Sequence, residues 1–485
     1  MSINICTKKY NKIFILILAF FIFLNYAVYP FDDLSKSISR IINSDPLLYK
    51  GSLSVKIKAL NGPVIYSKNE NLALMPASCM KILTSAAALN ELGEYYTYKT
   101  YLYGGKIDPV TGVMYGPLVL EGRGDPTWVY EFSAEPTDVL EKMADYLYKM
   151  GVRRIEGDLI ADDLFFDREF TPRGWKDEQQ SYTSPVSGLS LNANLVSVKI
   201  YNNKIYIYPD SPNIKVVNKL GSGGVLTVKR ADNGDTIYVK GVSSYDQTRV
   251  LPVYDPVLCA ITAFEKILNK RGITVAGRVR PANEYEYFLK DSLIKWYENQ
   301  SCCLIEIIRQ MNKESDNFLA EQLFKTISAD SKGCGTVKGS REIILDFCGE
   351  MNIDTRGVKI FDGSGLSLEN RIPASLLVSF LEYIYNSGHG KSFMKTLARG
   401  GIDGTLRYRL SGVTVYAKTG TLHGVSSLSG YVKTKTGQTV VFSIIFNNEN
   451  CYNGYLKHIE DEIVRTIAKY NKPIDIKNVK EITVK

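Results

Sequence analysis

Apolar and polar positions alternate over residues 52–60, where Leu53, Val55, Ile57 and Ala59 stand between polar neighbours. That period of two predicts a strand with one buried face. Asn61, Gly62 and Pro63 then turn the chain. Pro76 opens a run of helix formers over 77–92, ended by Gly93. From about 100 to 285 the periodicity becomes that of short strands. Residues 196–201 and 205–208 flank Asn202-Asn203, and 225–228 and 236–239 flank Asn233-Gly234. The second pair predicts a hairpin, because both turn positions favour positive φ. A helical stretch at 257–271 closes this region. Helical spacing returns over 303–311 and 317–324. Three successive strands follow at 413–421, 425–432 and 439–446, then a helix at 456–470 and a polar tail. No repeat of 20 to 50 residues is present. The pattern predicts an α+β protein in which residues 31–102 and 286–472 share one discontinuous domain. Residues 103–285 form an inserted β-rich unit or pair of units, and 473–485 a tail.

The first thirty residues stand apart from this. Lys8, Lys9 and Lys12 precede a 12-residue apolar run at 13–24. That is the size of a signal-peptide core and short of the roughly 20 residues of a bilayer span. A secretion signal, cleaved or kept as an anchor, and a membrane helix both account for it. Both readings place the body outside the cytoplasm, with a membrane tether through the N-terminus in the anchored cases.

Composition removes several function classes. The chain has 485 residues, 45% apolar and 23% charged, which excludes a disordered, collagen-like or multi-span membrane protein. A net charge of +8 without a long Lys/Arg run argues against a nucleic-acid partner. The eight cysteines show no C-x-x-C spacing. Adjacent Cys302 and Cys303 read as structural. His389, His423 and His458 are the only histidines, so a His-based metal site is not indicated and few bases exist for a Ser-His-Asp triad. No Gly-x-Ser-x-Gly elbow occurs.

Three clusters carry chemistry: Ser78-Cys-Met-Lys81, Ser315-Asp-Asn317 and Lys418-Thr-Gly420. Ser78 and Lys81 stand three apart at the start of a helix, on one face. The helix N-terminus adds free amides and a positive dipole end beside a developing oxyanion. Serine needs a base to attack, and lysine is one only if its pKa falls; burial and a nearby cation, here Lys418, both lower it. Ser315 and Asn317 point to one side if their loop is extended. The Ser315 hydroxyl there can relay a proton, and the Asn317 amide can donate to a substrate carbonyl and to Lys81. Lys418, Thr419 and Thr421 lie on a strand and suit a carboxylate; Gly420 would let a substrate backbone lie close. Each cluster alone is common. Ser292/Lys295 and Ser392/Lys395 repeat the first spacing, and Lys435-Thr-Gly437 repeats the third in a predicted hairpin turn. Together the three clusters stand in order, each on the predicted helix, loop or strand that it needs.

This order resembles the penicillin-binding proteins and serine β-lactamases. A gap of 237 residues between Ser78 and Ser315 is similar to that of the S13 peptidase family, the DacB-like D-alanyl-D-alanine carboxypeptidase/endopeptidases. The segments 122–126, 162–166, 185–192, 311–317 and 362–367 match that family too, with Arg123 and Gly188 as small departures. The resemblance implies a transpeptidase-like domain, an antiparallel sheet flanked by helices, carrying the insert. It implies an acyl-enzyme on Ser78, with Lys81 as base and the amides of Ser78 and Thr421 around the oxyanion. Ser315 would pass the proton on, and Lys418, Thr419 and Thr421 would hold the terminal carboxylate. Peptidoglycan stem peptides would be the substrate and β-lactams covalent inhibitors, with no metal or cofactor. Asp162 or Asp163 in the insert could meet an amino group of the stem peptide, or could simply turn the chain. A β-lactamase or esterase on the same core and a non-catalytic peptidoglycan-binding protein remain alternatives. The long gap counts against the first, and the intact Ser78, Lys81 and Lys418 against the second.

Overall fold

A computed structural model describes residues 32–175, 179–286 and 289–475. The apolar run at 13–24 and residues 476–485 of the tail lie outside them. No helix among the described residues is long and apolar enough to cross a membrane.

The three predicted C-terminal strands form as Val415–Leu422, Val425–Lys433 and Thr439–Asn447, successive antiparallel neighbours. Thr439–Asn447 also pairs antiparallel with the early strand Ser52–Ala59 along its whole length. Val64–Lys68 and Ala398–Arg399 complete a six-stranded sheet at its two edges. Both faces are covered, and the central strand Thr439–Asn447 accordingly reads as a nearly continuous apolar run. Phe442, Ile444 and Phe446 face helices Asp32–Asn43 and Asn453–Lys469. Val441 and Ile445 face the layer built from Met80–Leu92, Leu304–Glu314, Asn317–Lys332 and Ala374–Asn386. Each fully buried Leu or Ile in these layers contributes about 1.5–3 kcal/mol.

The middle of the chain is less purely β than its pattern predicts. Thr97–Gly104 and Ile294–Cys303 pair antiparallel and belong to a five-stranded sheet with Leu118–Glu121, Leu159–Asp162 and Val279–Pro281. The limit expected at 102 falls inside Thr97–Gly104, and the one at 286 falls shortly before Ile294–Cys303. The last three strands are mutually parallel, and parallel neighbours need a long crossover. Helices Asp138–Lys149 and Pro256–Lys270 lie in those crossovers and bury Leu140, Met143, Ile261 and Phe264 against the sheet. Two three-stranded sheets share a separate core of Val196, Val198, Ile200, Ile237 and Val239. The tightest turn there is at Asn202-Asn203, both at positive φ between paired Tyr201 and Lys204. Asn233-Gly234 instead lies in a longer connection, because the pairing stops at Arg230 and Ile237.

Candidate active site

Ser78 lies in a one-turn 3₁₀ segment, Ala77–Cys79, that runs directly into the helix Met80–Leu92. Lys81 is in the first turn of that helix and fully buried. Its Nζ is 3.1 Å from Ser78 Oγ and donates to Asn317 Oδ1 at 2.8 Å and to the Ser364 carbonyl at 2.9 Å. Burial lowers the Lys81 pKa to about 8, against the raising effect of Glu321, Asp362 and Asp316.

Ser315 and Asn317 are not on an extended loop. Ser315 caps the helix Leu304–Glu314 in a left-handed conformation, φ 61°, and Asp316 caps the helix Asn317–Lys332 through Leu319 N. A tight helix-to-helix turn thus brings both side chains to the site. The Asn317 amide accepts from Lys81 through Oδ1, the reverse of the donation expected, and its Nδ2 donates to the Tyr182 carbonyl of the insert at 3.0 Å.

Lys418 comes from the strand Val415–Leu422 and is also fully buried. Its Nζ donates to Ser315 Oγ at 2.9 Å and to the Thr419 carbonyl at 2.8 Å. Burial first, and then the charge of Lys81, lower its pKa to about 7. Thr419 Oγ1 donates to Thr405 Oγ1 at 2.8 Å, and Thr421 is exposed. Five of the sequence-derived side chains therefore form two hydrogen-bonded sets, Ser78, Lys81 and Asn317 in one and Ser315 and Lys418 in the other, near enough that the charge of Lys81 acts on Lys418.

Gly420 has a different reason from the one its sequence context implies. A Cβ there would stand 2.3 Å from Ser427 Oγ, 2.7 Å from the Pro76 carbonyl and 2.9 Å from Ser78 N. The strand is pressed against the nucleophile turn itself, with no room left for a substrate backbone on that side. Ser427 Oγ donates to the Pro76 carbonyl at 2.6 Å, and Cys79 Sγ to the Lys418 carbonyl at 3.2 Å, so strand and turn are also joined by hydrogen bonds. Gly420→Ala should push Ser78 out of place and slow acylation by up to about 100-fold, read as the rate of labelling by a fluorescent penicillin.

The competing motifs stay apart from this cluster. Lys435-Thr-Gly437 makes the turn between Val425–Lys433 and Thr439–Asn447, with Gly437 at φ 82°. Ser292 ends a short 3₁₀ segment, and Ser392 and Lys395 lie on the short helix Gly390–Thr396. The two insert aspartates both have internal partners. Arg168 donates to both oxygens of Asp163, at 2.6 and 3.1 Å, and Asp162 accepts from Leu164 N and faces Lys290. Each thus already has a cation of this chain beside it.

Sequence reasoning did not single out Tyr182, Glu321, Ser364 or Thr405. Glu321 alone left a signal, a lone acid in the apolar run Phe318 to Phe324.

The geometry is that of two serines, each hydrogen-bonded to a buried lysine, and comparison with known proteins agrees with it. Residues 34–470 match the model of the D-Ala-D-Ala carboxypeptidase 3 (S13) family. The chain belongs to this S13 family. A D-alanyl-D-alanine carboxypeptidase of Actinomadura sp. (strain R39) is 31% identical over 471 residues, covering 90% of this chain and 85% of the relative. The crystal structure of penicillin binding protein 4 (dacB) from Haemophilus influenzae has a TM-score of 0.77 at 24% identity, covering 89% of this chain and 99% of that one. The same Haemophilus protein complexed with a novel β-lactam superposes with a TM-score of 0.73 at 23% identity, covering 90% and 100%. These structures share the α+β transpeptidase-like fold of this S13 member.

Proposed function

We propose that this S13 enzyme is a serine D-alanyl-D-alanine carboxypeptidase and endopeptidase acting on peptidoglycan stem peptides through an acyl-enzyme. The observation that carries it is the buried Lys81 amine 3.1 Å from the Ser78 hydroxyl. A lysine in that position, with its pKa lowered to about 8, is neutral often enough to take the serine proton. Ser78 attacks the carbonyl of the penultimate D-alanine. The Ser78 amide, just ahead of the helix Met80–Leu92, and the Thr421 amide, from the strand Val415–Leu422, stabilise the oxyanion. Ser315, hydrogen-bonded to Lys418, delivers a proton to the departing amine. Lys418, Thr419 and Thr421 hold the terminal carboxylate, and water then hydrolyses the ester. Ala398–Arg399 pairs only with Tyr416 and Ala417, so the outer edge of the strand beyond them is open for the substrate. β-Lactams would acylate the same serine, and the body of the chain would work outside the cytoplasm.

Purified cross-linked and uncross-linked muropeptides with the full chain test this. Release of D-alanine from pentapeptide stems, and of monomers from dimers, is the expected product pattern by mass. A protein that labels with penicillin and turns the label over within seconds, while leaving both muropeptides intact, would be a β-lactamase.

A further inference from the structure

Glu321 has no part in the route above, yet it is one of the most buried charged groups in the molecule, 1% exposed. It lies one helical turn beyond Asn317, on the same face of Asn317–Lys332. Its Oε1 accepts from Gly363 N at 3.1 Å and Ser364 N at 2.7 Å, and its Oε2 from Gly363 N at 2.9 Å. Those amides belong to the loop 362–367, whose Ser364 carbonyl accepts from Lys81 Nζ. Thr84, one turn beyond Lys81, donates to the Gly363 carbonyl at 2.7 Å. The loop cannot shift to relieve any of these contacts. A Cβ at Gly363 would meet Phe324 Cβ at 2.4 Å, and one at Gly365, φ +84°, the Ala77 carbonyl at 1.9 Å. Asp362 closes the loop from inside, accepting from Gly365 N, Ser367 N, Asn370 Nδ2 and, from the insert, Trp175 Nε1. The loop is thus a rigid spacer between Glu321 and the Lys81 amine.

We propose that Glu321 is a positioning residue for Lys81, its carboxylate aiming the Ser364 carbonyl at the Lys81 amine and, by its charge, setting the pH at which that amine becomes a base. The proposal rests on the reading of Lys81 as the base. The charged and titratable groups facing Lys81 are Glu321 and Asp316 from one helix, Asp362 from the loop, Cys79 from its own turn and Lys418 from the strand. Among the groups that favour the charged lysine, Glu321 has the largest effect. Burial and the charge of Asp362 push the Glu321 pKa up, and the Gly363 and Ser364 amides oppose them by favouring its carboxylate form.

The test is the pH profile of acylation by benzylpenicillin, measured on full-length wild type, Glu321→Gln and Glu321→Asp with thermal melting in parallel. Glu321→Gln keeps the shape and removes the charge. Its alkaline limb and its optimum should move to lower pH by roughly half a unit to one unit, while Glu321→Asp keeps the wild-type limbs at a reduced rate. An unmoved limb in Glu321→Gln, with a uniform loss of rate or none, overturns the proposal and leaves Glu321 a structural group. Should Glu321→Gln fail to fold, Glu321→Asp decides: a limb displaced despite the retained charge also overturns it. Wild-type protein that takes no penicillin label at any pH would instead refute the parent reading of Ser78 and Lys81.

Discussion

Ser78→Ala should abolish covalent labelling by a fluorescent penicillin and lower carboxypeptidase turnover by about 10 000-fold or more, as loss of a nucleophile does. The fold should survive the change, because the hydroxyl faces the cleft and its removal leaves Lys81 two other acceptors, Asn317 Oδ1 and the Ser364 carbonyl. The melting temperature of Ser78→Ala should therefore stay close to that of wild type. Ser292→Ala and Ser392→Ala share the Ser-x-x-Lys spacing and should label fully. Ser292 donates to the Leu289 carbonyl in its own short turn, and Ser392 sits on a helix whose neighbours include Glu94, not Lys418. Label retained in folded Ser78→Ala protein would reject Ser78 as the acylated residue.

The catalytic clusters were legible because each is local. A serine and a lysine three apart on a helix meet whatever the rest of the chain does, and a Lys-Thr-Gly on a strand keeps its direction. What joins the clusters was not legible. Ser364 contributes a backbone carbonyl, which no residue type announces, and Tyr182 another from within the insert. Gly420 was legible as a close approach but not as to what approaches it, because sequence does not show that Pro76 and Ser78 lie across the strand. Helix Asp32–Asn43 escaped because only a narrow stripe, Leu34, Ile38 and Ile42, is buried amid polar residues. Helix Asp138–Lys149 escaped for another reason: it is short and lies between strands, where turn-rich sequence dominates the pattern. The S13 resemblance reached further than periodicity, since it tied segments on either side of a 237-residue gap to one site.

Lys418→Ala should lower kcat/KM for a D-alanyl-D-alanine substrate by about 100-fold or more, because it removes the cation that faces the terminal carboxylate and the partner of Ser315. Lys435→Ala, in the hairpin turn, should be near neutral. The pH profile distinguishes lost chemistry from lost structure. On the proposed route catalysis needs Lys81 neutral and Lys418 charged, and burial lowers the first to about 8 and the second to about 7. With the base titrating above the cation, only a minor fraction of the free enzyme has both in the required form. The wild-type kcat/KM profile should then be a narrow bell, with limbs near pH 7 and 8 that belong to the pair jointly. Removing Lys418 removes one ionisation. The alkaline limb should vanish, and activity should rise through the Lys81 pKa, near 8, to a plateau. A bell that persists unchanged in Lys418→Ala would assign its alkaline limb to another group and deny Lys418 its role as the charged carboxylate partner.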